Sequence, residues 1–167
     1  NRGVCDRIKR IISAYQTGRV IAPDPEMARI WQRYAADLGD PQAAWKLYEA
    51  YARAETVESD HSAMMAYLRQ AADANLPYAQ IALGRHLERG VLVAQDIEQA
   101  FSLYKSAAAN EHRAGLIRLA LFLEERVLSA PELDQQRLET LTKLSRLEDA
   151  PGWVFLRLGK HAQREHG

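Results

Sequence analysis

Residues 64–96, MMAYLRQAADANLPYAQIALGRHLERGVLVAQD, decide the fold, because the chain on both sides repeats their order of large, small and helix-breaking residues at one spacing. Asp24, Asp60 and Asp96 stand 36 residues apart, and the next step lands on the acidic Glu132. These acids precede or open apolar-periodic segments, where a carboxylate accepts hydrogen bonds from the unpaired N–H groups of a first helical turn. The same shift superposes Trp31, Tyr67 and Leu103, then the pairs Ala35-Ala36, Ala71-Ala72 and Ala107-Ala108. It also superposes Ala43, Ala79 and Gly115, and Leu47, Leu83 and Leu119. Large falls on large and small on small through three copies, which marks an internal repeat.

Within one copy, Ala28, Trp31, Ala35 and Ala36 form the stripe of an amphipathic first helix. The double alanine keeps that face thin, so a second helix can approach closely. A break follows at Gly39-Asp40-Pro41 or Asn75-Leu76-Pro77, where glycine or asparagine suits a left-handed helix end and proline suits a first turn. The second helix has the stripe Ala79, Leu83 and Leu87, with Gly84 as a close-contact position and Gly90 as a stop.

A shift of 72 places Ile11 on Leu83, Tyr15 on Leu87 and Gly18 on Gly90, so residues 3–18 read as a second helix without its first. The chain begins at Asn1, which reads as a processed or truncated product. Residues 132–148 are helical by period, with a Leu138, Leu141, Leu144 and Leu147 stripe but no double alanine. Leu158-Gly159 resembles Leu83-Gly84, and Trp153 and Phe155 are expected to close the apolar end of the stack. The division predicted is a half repeat at 3–18, full repeats at 24–59, 60–95 and 96–131, and a degenerate one at 132–167. Together they make one all-α solenoid over 1–167 with about eight or nine helices.

Composition narrows the function. Apolar residues make up 47% and charged residues 26% of the 167, as in ordinary soluble globular chains. Lys plus Arg and Asp plus Glu number 22 each, a balance that argues against nucleic acid or an anionic membrane as a partner. Cys5 is the single cysteine, so no intrachain disulfide or thiolate metal cluster can form, and a packed thiol is its expected state ahead of a partner anchor. No stretch is long and apolar enough to span a membrane.

The pattern A-x2-(W/Y/L)-x3-AA-x6-A/G-x3-L, followed in the best copy by Gly90, Asp96 and Ala100, resembles the Sel-one-like repeat (SLR) family, relatives of the tetratricopeptide repeats. The period separates the two, since tetratricopeptide units run at about 34 residues. The likeness is good over residues 11–130; Ala54 and Arg126 replace the glycine that ends the second helix. The resemblance implies a right-handed superhelix of antiparallel helix pairs, with first helices lining a concave side that holds other proteins. It also implies no cofactor and no catalytic residues, and a bacterial periplasm or cell envelope ahead of the cytoplasm.

Arg33, Arg69 and Lys105 recur 36 residues apart, about 140° round the helix from the first stripe alanine. They form a basic ladder that suits an acidic segment on a partner. The competing reading is a solvated face with local pairs Arg33 to Asp37 and Arg69 to Asp73. Beside the ladder stand Arg29 and Gln32 in the first copy, Met65 and Leu68 in the second, and Phe101 and Tyr104 in the third. These nine residues are the candidate partner-binding set, core packing being the alternative for the apolar ones.

No catalytic or metal-binding residue is expected. The five histidines include no H-x3-H pair, and neither H-E-x-x-H, G-x-S-x-G nor a phosphate-binding glycine loop occurs. The function expected is a non-enzymatic scaffold or adaptor binding a protein partner in a concave groove, in a bacterial cell-envelope assembly. The alternatives are a structural spacer within a longer solenoid and a toxin-neutralising, immunity-type binding protein.

Overall fold

The structure, a computed structural model, describes residues 2–18, 22–53 and 60–166. Among them nine α-helices follow one another and no strand occurs. They are α1 (Arg2–Thr17), α2 (Pro25–Asp37), α3 (Pro41–Arg53), α4 (His61–Asp73), α5 (Pro77–Arg89), α6 (Ile97–Ala108), α7 (Arg113–Arg126), α8 (Asp134–Ser145) and α9 (Gly152–His166). The all-α arrangement of paired helices agrees with the sequence.

Helix starts follow the 36-residue spacing. The Asp24 carboxylate accepts from the N–H groups of Glu26 and Met27 at 3.0 Å, that of Asp60 from Ala63 at 2.9 Å, and that of Asp96 from Gln99 at 2.8 Å. Such a cap is worth about 1 kcal/mol. The fourth step breaks the pattern. Glu132 lies in a 3-10 turn, Pro131–Leu133, and α8 starts at Asp134 with no side-chain cap. Pro131 opens that turn, and the Asp134 carboxylate engages Arg137 Nε at 2.8 Å instead.

Helix ends repeat as well. Gly39, Asn75 and Glu111 have φ of 88°, 60° and 57°. The Asp40 N–H donates to the Ala35 carbonyl at 3.0 Å and the Leu76 N–H to Ala71 at 3.2 Å, while the N–H groups of Gly39 and Asn75 donate to Ala36 and Ala72 at 2.8 and 2.9 Å. Both are Schellman ends, and they satisfy carbonyls the helix leaves unpaired. Gly18 and Gly90, 72 residues apart, share φ of 66°, and beyond each an aspartate N–H returns to a helix carbonyl at 3.0 Å, Asp24 to Tyr15 and Asp96 to Leu87. Ala54, at the intervening position, lies outside the described residues. At the next, α7 runs through Arg126, whose guanidinium lies 3.8 Å from the Phe122 ring centre.

The chain forms two compact units, Asn1–Ala79 and Gln80–Gly167. In the first, Ala28, Ala35 and Ala36 of α2, Ala43, Ala44 and Leu47 of α3, and Met64, Met65, Leu68, Ala71 and Ala72 of α4 are buried. Alanine faces bury little area each, so larger rings add the rest: Tyr67 of α4 stacks on Tyr51 of α3 at 6.1 Å. Gln70 Nε2 donates to the Ala36 carbonyl at 2.5 Å and ties α4 directly to α2.

In the second unit α6 and α7 approach closely, since a Cβ on Gly115 would collide with the Ala107 backbone carbonyl. Gly84 likewise makes room for the Tyr104 ring. Leu116, Ala120, Leu141, Leu144 and Val154 form one buried cluster, with Leu147 and Trp153 packed against it. Phe155 does not close the end of the stack: it is 54% exposed, and Val154 takes the inward position on α9. Gly159, unlike Gly84, has no neighbour that a Cβ would touch, so Leu158-Gly159 is not a close contact.

Two stability predictions come from these geometries. Gly115→Ala should destabilise by about 1–3 kcal/mol, since the colliding atoms are backbone and cannot rotate away. Glu111→Asn should stabilise by about 0.5–1 kcal/mol, because asparagine tolerates the left-handed region better; thermal unfolding checks both, the second as a Tm rise of about 1–4 °C.

Candidate functional site

The outward faces of the first helices supply the candidate surface. In the first unit Arg29, Ile30, Arg33 and Tyr34 of α2 are exposed, with Gln32 half-buried, and Arg69 of α4 is exposed. Arg29 pairs with Glu26 at 3.0 Å, an exposed contact worth at most about 1 kcal/mol. The local pairs considered for Arg33 with Asp37 and Arg69 with Asp73 do not form: among the described residues neither guanidinium has a carboxylate within 4.0 Å. Two uncompensated cations therefore sit at equivalent positions on helices joined by the Gln70–Ala36 hydrogen bond.

Burial sorts the remaining candidates. Met65 and Leu68 are 3% and 0% exposed, and Tyr104 is 0%, so these three belong to the core and offer a partner no surface. In the second unit Phe101 is half-buried, stacked on Phe122 at 5.3 Å, and the exposed Lys105 holds its ammonium 4.6 Å from the Phe101 ring centre. Lys105 also borders a shallow cleft of about 220 Å³ between α6, α7 and α8.

Tyr104 is the centre of a buried polar network. Its hydroxyl donates to Glu88 Oε2 at 2.8 Å, Arg118 donates to the same oxygen, and Arg126 Nη1 lies 3.4 Å from Oε1. Burial pushes the Tyr104 hydroxyl up to about 12; the Glu88 carboxylate adds to this and the Arg118 guanidinium opposes it. A second network joins Arg137 to Glu124 at 2.7 Å and to Asp134, with Arg157 at 3.3 Å from Glu124. It borders a cleft of about 540 Å³ that Lys160 and Arg164 also line.

A further cleft, of about 440 Å³, lies between α1, α2 and α3 and is lined by Lys9, Ile12, Gln16, Gln32, Asp40 and Lys46 among others. Asp40 is 5% exposed, caps α3 through the N–H groups of Gln42 and Ala43, and meets Lys9 Nζ at 2.9 Å. Burial alone would raise its pKa; Lys9 and the two N–H groups outweigh that and hold it below the ordinary carboxylate value.

Ile30 and Tyr34, 55% and 49% exposed beside Arg33, were not in the sequence-derived set. Their equivalents 36 residues on, Ala66 and Gln70, are not large apolar residues, so no repeating signal marked them. The Glu88–Arg118 pair joins residues 30 apart on different repeats, beyond the reach of helical spacing. The side chain of Cys5 lies outside the described residues. Among the described residues no group of three or more His, Cys, Asp or Glu could hold a metal ion, and no helix is long and apolar enough to cross a membrane.

The Sel1 repeat family matches residues 13–40 and 77–112 of the chain. No curated protein sequence matches it. Among solved structures, a Sel1 repeat protein from Oxalobacter formigenes is similar with a TM-score of 0.65 at 25% identity, covering 84% of this chain and 56% of that one. A protective antigen present in uropathogenic Escherichia coli strains, displaying an SLR fold, is similar with a TM-score of 0.73 at 21% identity, covering 96% of this chain and 34% of that one. The second likeness concerns the fold alone. The chain thus spans about half the length of one neighbour and a third of the other.

The Tyr104 network sets an alkaline limit on stability. A tyrosine whose folded pKa lies near 12 against an ordinary 10.0 keeps its full stabilisation below pH 10 and loses it as the pH rises toward 12. Denaturant unfolding between pH 9 and pH 12 should show that decline, and Tyr104→Phe should remove its share of the slope.

Proposed function

We propose, from the premise that this chain is a Sel1-repeat protein, that it works as a non-enzymatic scaffold holding a protein partner against the first helices of its repeats. Sel1 repeat proteins generally mediate protein–protein interaction, and theirs is generally a non-catalytic scaffold fold. The observation that carries the reading here is the pair Arg33 and Arg69. Both are exposed and, among the described residues, lack an acidic partner although Asp37 and Asp73 stand one turn away. Local pairing would have neutralised a merely solvated face; uncompensated guanidinium groups keep their forked donors for carboxylates on another molecule. Ile30 and Tyr34 add apolar area next to Arg33, and tyrosine with arginine is the composition of interface hot spots.

The partner on this reading is a polypeptide with an acidic segment. Gln32, Arg33 and Arg69 contact it on the first unit, and Phe101 and Lys105 on the second. The repeat division proposed for the scaffold is 24–59, 60–95 and 96–131, preceded by the half repeat 3–18 and followed by 132–167. A bacterial cell-envelope assembly as its setting draws on the family resemblance alone. The second reading is a spacer within a longer solenoid, favoured by the greater length of both structural neighbours.

Charge reversal separates the two. Arg33→Glu, Arg69→Glu and Lys105→Glu together should lower partner capture at least about tenfold while helical content and Tm stay close to the parent, the three sites being exposed. Affinity capture with quantitative mass spectrometry reads the loss; unchanged capture by a folded triple variant would sink the scaffold reading and leave the spacer.

A further inference from the structure

The two units contain the same arrangement of three helices, filled in one and open in the other. In the second unit Tyr104 of α6 lies against Gly84 of α5 at zero exposure, and its hydroxyl and Arg118 of α7 both donate to Glu88 of α5. Seventy-two residues earlier, the corresponding places on α1, α2 and α3 carry Gln32 for Tyr104, Ile12 for Gly84, Gln16 for Glu88 and Lys46 for Arg118. The first unit therefore has the cation but neither the ring nor the carboxylate.

What remains is the cleft of about 440 Å³, inside the roughly 300–1,000 Å³ range of ligand-binding pockets. Among the described residues no carboxylate lies within 4.0 Å of Lys46, and the side-chain amides of Gln16 and Gln32 make no hydrogen bond. Asp40 adds no counter-charge for Lys46, because Lys9 already neutralises it. The cleft thus presents one uncompensated cation and two amides where the second unit holds a carboxylate, with Ile12 as an apolar wall where Gly84 makes room for a phenol ring.

We propose that the α1–α2–α3 cleft receives a glutamate side chain of the partner polypeptide, its carboxylate meeting Lys46 and the Gln16 and Gln32 amides, with a neighbouring aromatic residue of the same segment entering the rest of the cleft against Ile12. This rests on the scaffold reading and specifies the chemistry of its partner. A lysine and two neutral amides poorly match a compact dianion such as phosphate, which would also leave the cleft mostly unfilled. A glutamate beside a ring matches both the charge and the space, and the lysine, a point charge on a flexible stem, imposes no fork geometry on the incoming carboxylate.

The test uses the intact chain and fluorescein-labelled, end-blocked peptides carrying one glutamate and one tyrosine, set one to four residues apart in a glycine–serine background. Fluorescence anisotropy should detect binding by at least one spacing, weakened about tenfold when the peptide glutamate is replaced by glutamine or the protein carries Lys46→Ala. The variant Gln16→Glu gives Lys46 a carboxylate from the chain itself and should abolish binding; if it fails to fold, Lys46→Ala and the glutamine peptide decide the matter. Three outcomes overturn the proposal: no peptide of the series binds, binding is unchanged by Lys46→Ala, or inorganic phosphate competes as well as the unlabelled peptide. A captured partner lost on reversing Arg33 and Arg69 but retained by Lys46→Ala would remove the cleft and leave the scaffold reading standing.

Discussion

The rest of the structure depends on helix pairs meeting at backbone distance through alanine and glycine. Gly115 faces the Ala107 carbonyl with no room for a Cβ, and Ala35, Ala36, Ala43 and Ala44 are all nearly or wholly buried where α2 meets α3. Such contacts gain dispersion over many atoms but bury little apolar area per residue, so they cannot stabilise helices of 12 to 14 residues alone. The shortfall is met locally at the helix ends. Each Asp cap and each Schellman turn satisfies backbone groups that a short helix has in high proportion, since four donors and four acceptors per helix are orphaned whatever its length. Thin faces and capped ends are two halves of one requirement, and for that reason they recur at one spacing.

This explains what the sequence made legible. Caps at Asp24, Asp60 and Asp96 and left-handed ends at Gly39 and Asn75 are decided by chemistry within a few residues, so a periodic reading finds them. The start of α8 escaped it because Asp134 is drawn to Arg137 and a proline inserts a 3-10 turn. Inward and outward faces were legible only in part. Arg29, Met65 and Phe101 share one phase of the repeat yet are exposed, buried and half-buried. A phase fixes the direction a side chain leaves its own helix, whereas burial also depends on what the neighbouring repeat places opposite. Phe155 points outward and Val154 inward for the same reason, the register of α9 being set by its start at Gly152.

The positions 32, 68 and 104 show how an inward phase turns into a functional one. Leu68 and Tyr104 are wholly buried there, and Gln32 is not. An amide at a position built for a large apolar group cannot fill it without stranding its own donors, so the neighbouring surfaces stay apart and a cleft remains. Departures from the repeat pattern at inward positions are thus more informative about binding than departures on the outer face, where almost any polar residue is tolerated.

The charges divide along the same line. Arg118 and Arg137 are largely withdrawn from solvent, and each has its carboxylate, Glu88 for one and Glu124 with Asp134 for the other. Removing Glu88 would leave Arg118 uncompensated, at a cost of about 3–5 kcal/mol, whereas Arg137 keeps one carboxylate if it loses the other. Such pairs are bound to one another by desolvation and are lost to any partner. Arg33, Arg69 and Lys46 are solvated, cost nothing when unpaired, and lose only water when a carboxylate arrives. A chain with formal net charge +0 can therefore still carry local groups of solvated cations, their charge being balanced by acids elsewhere along the chain rather than beside them.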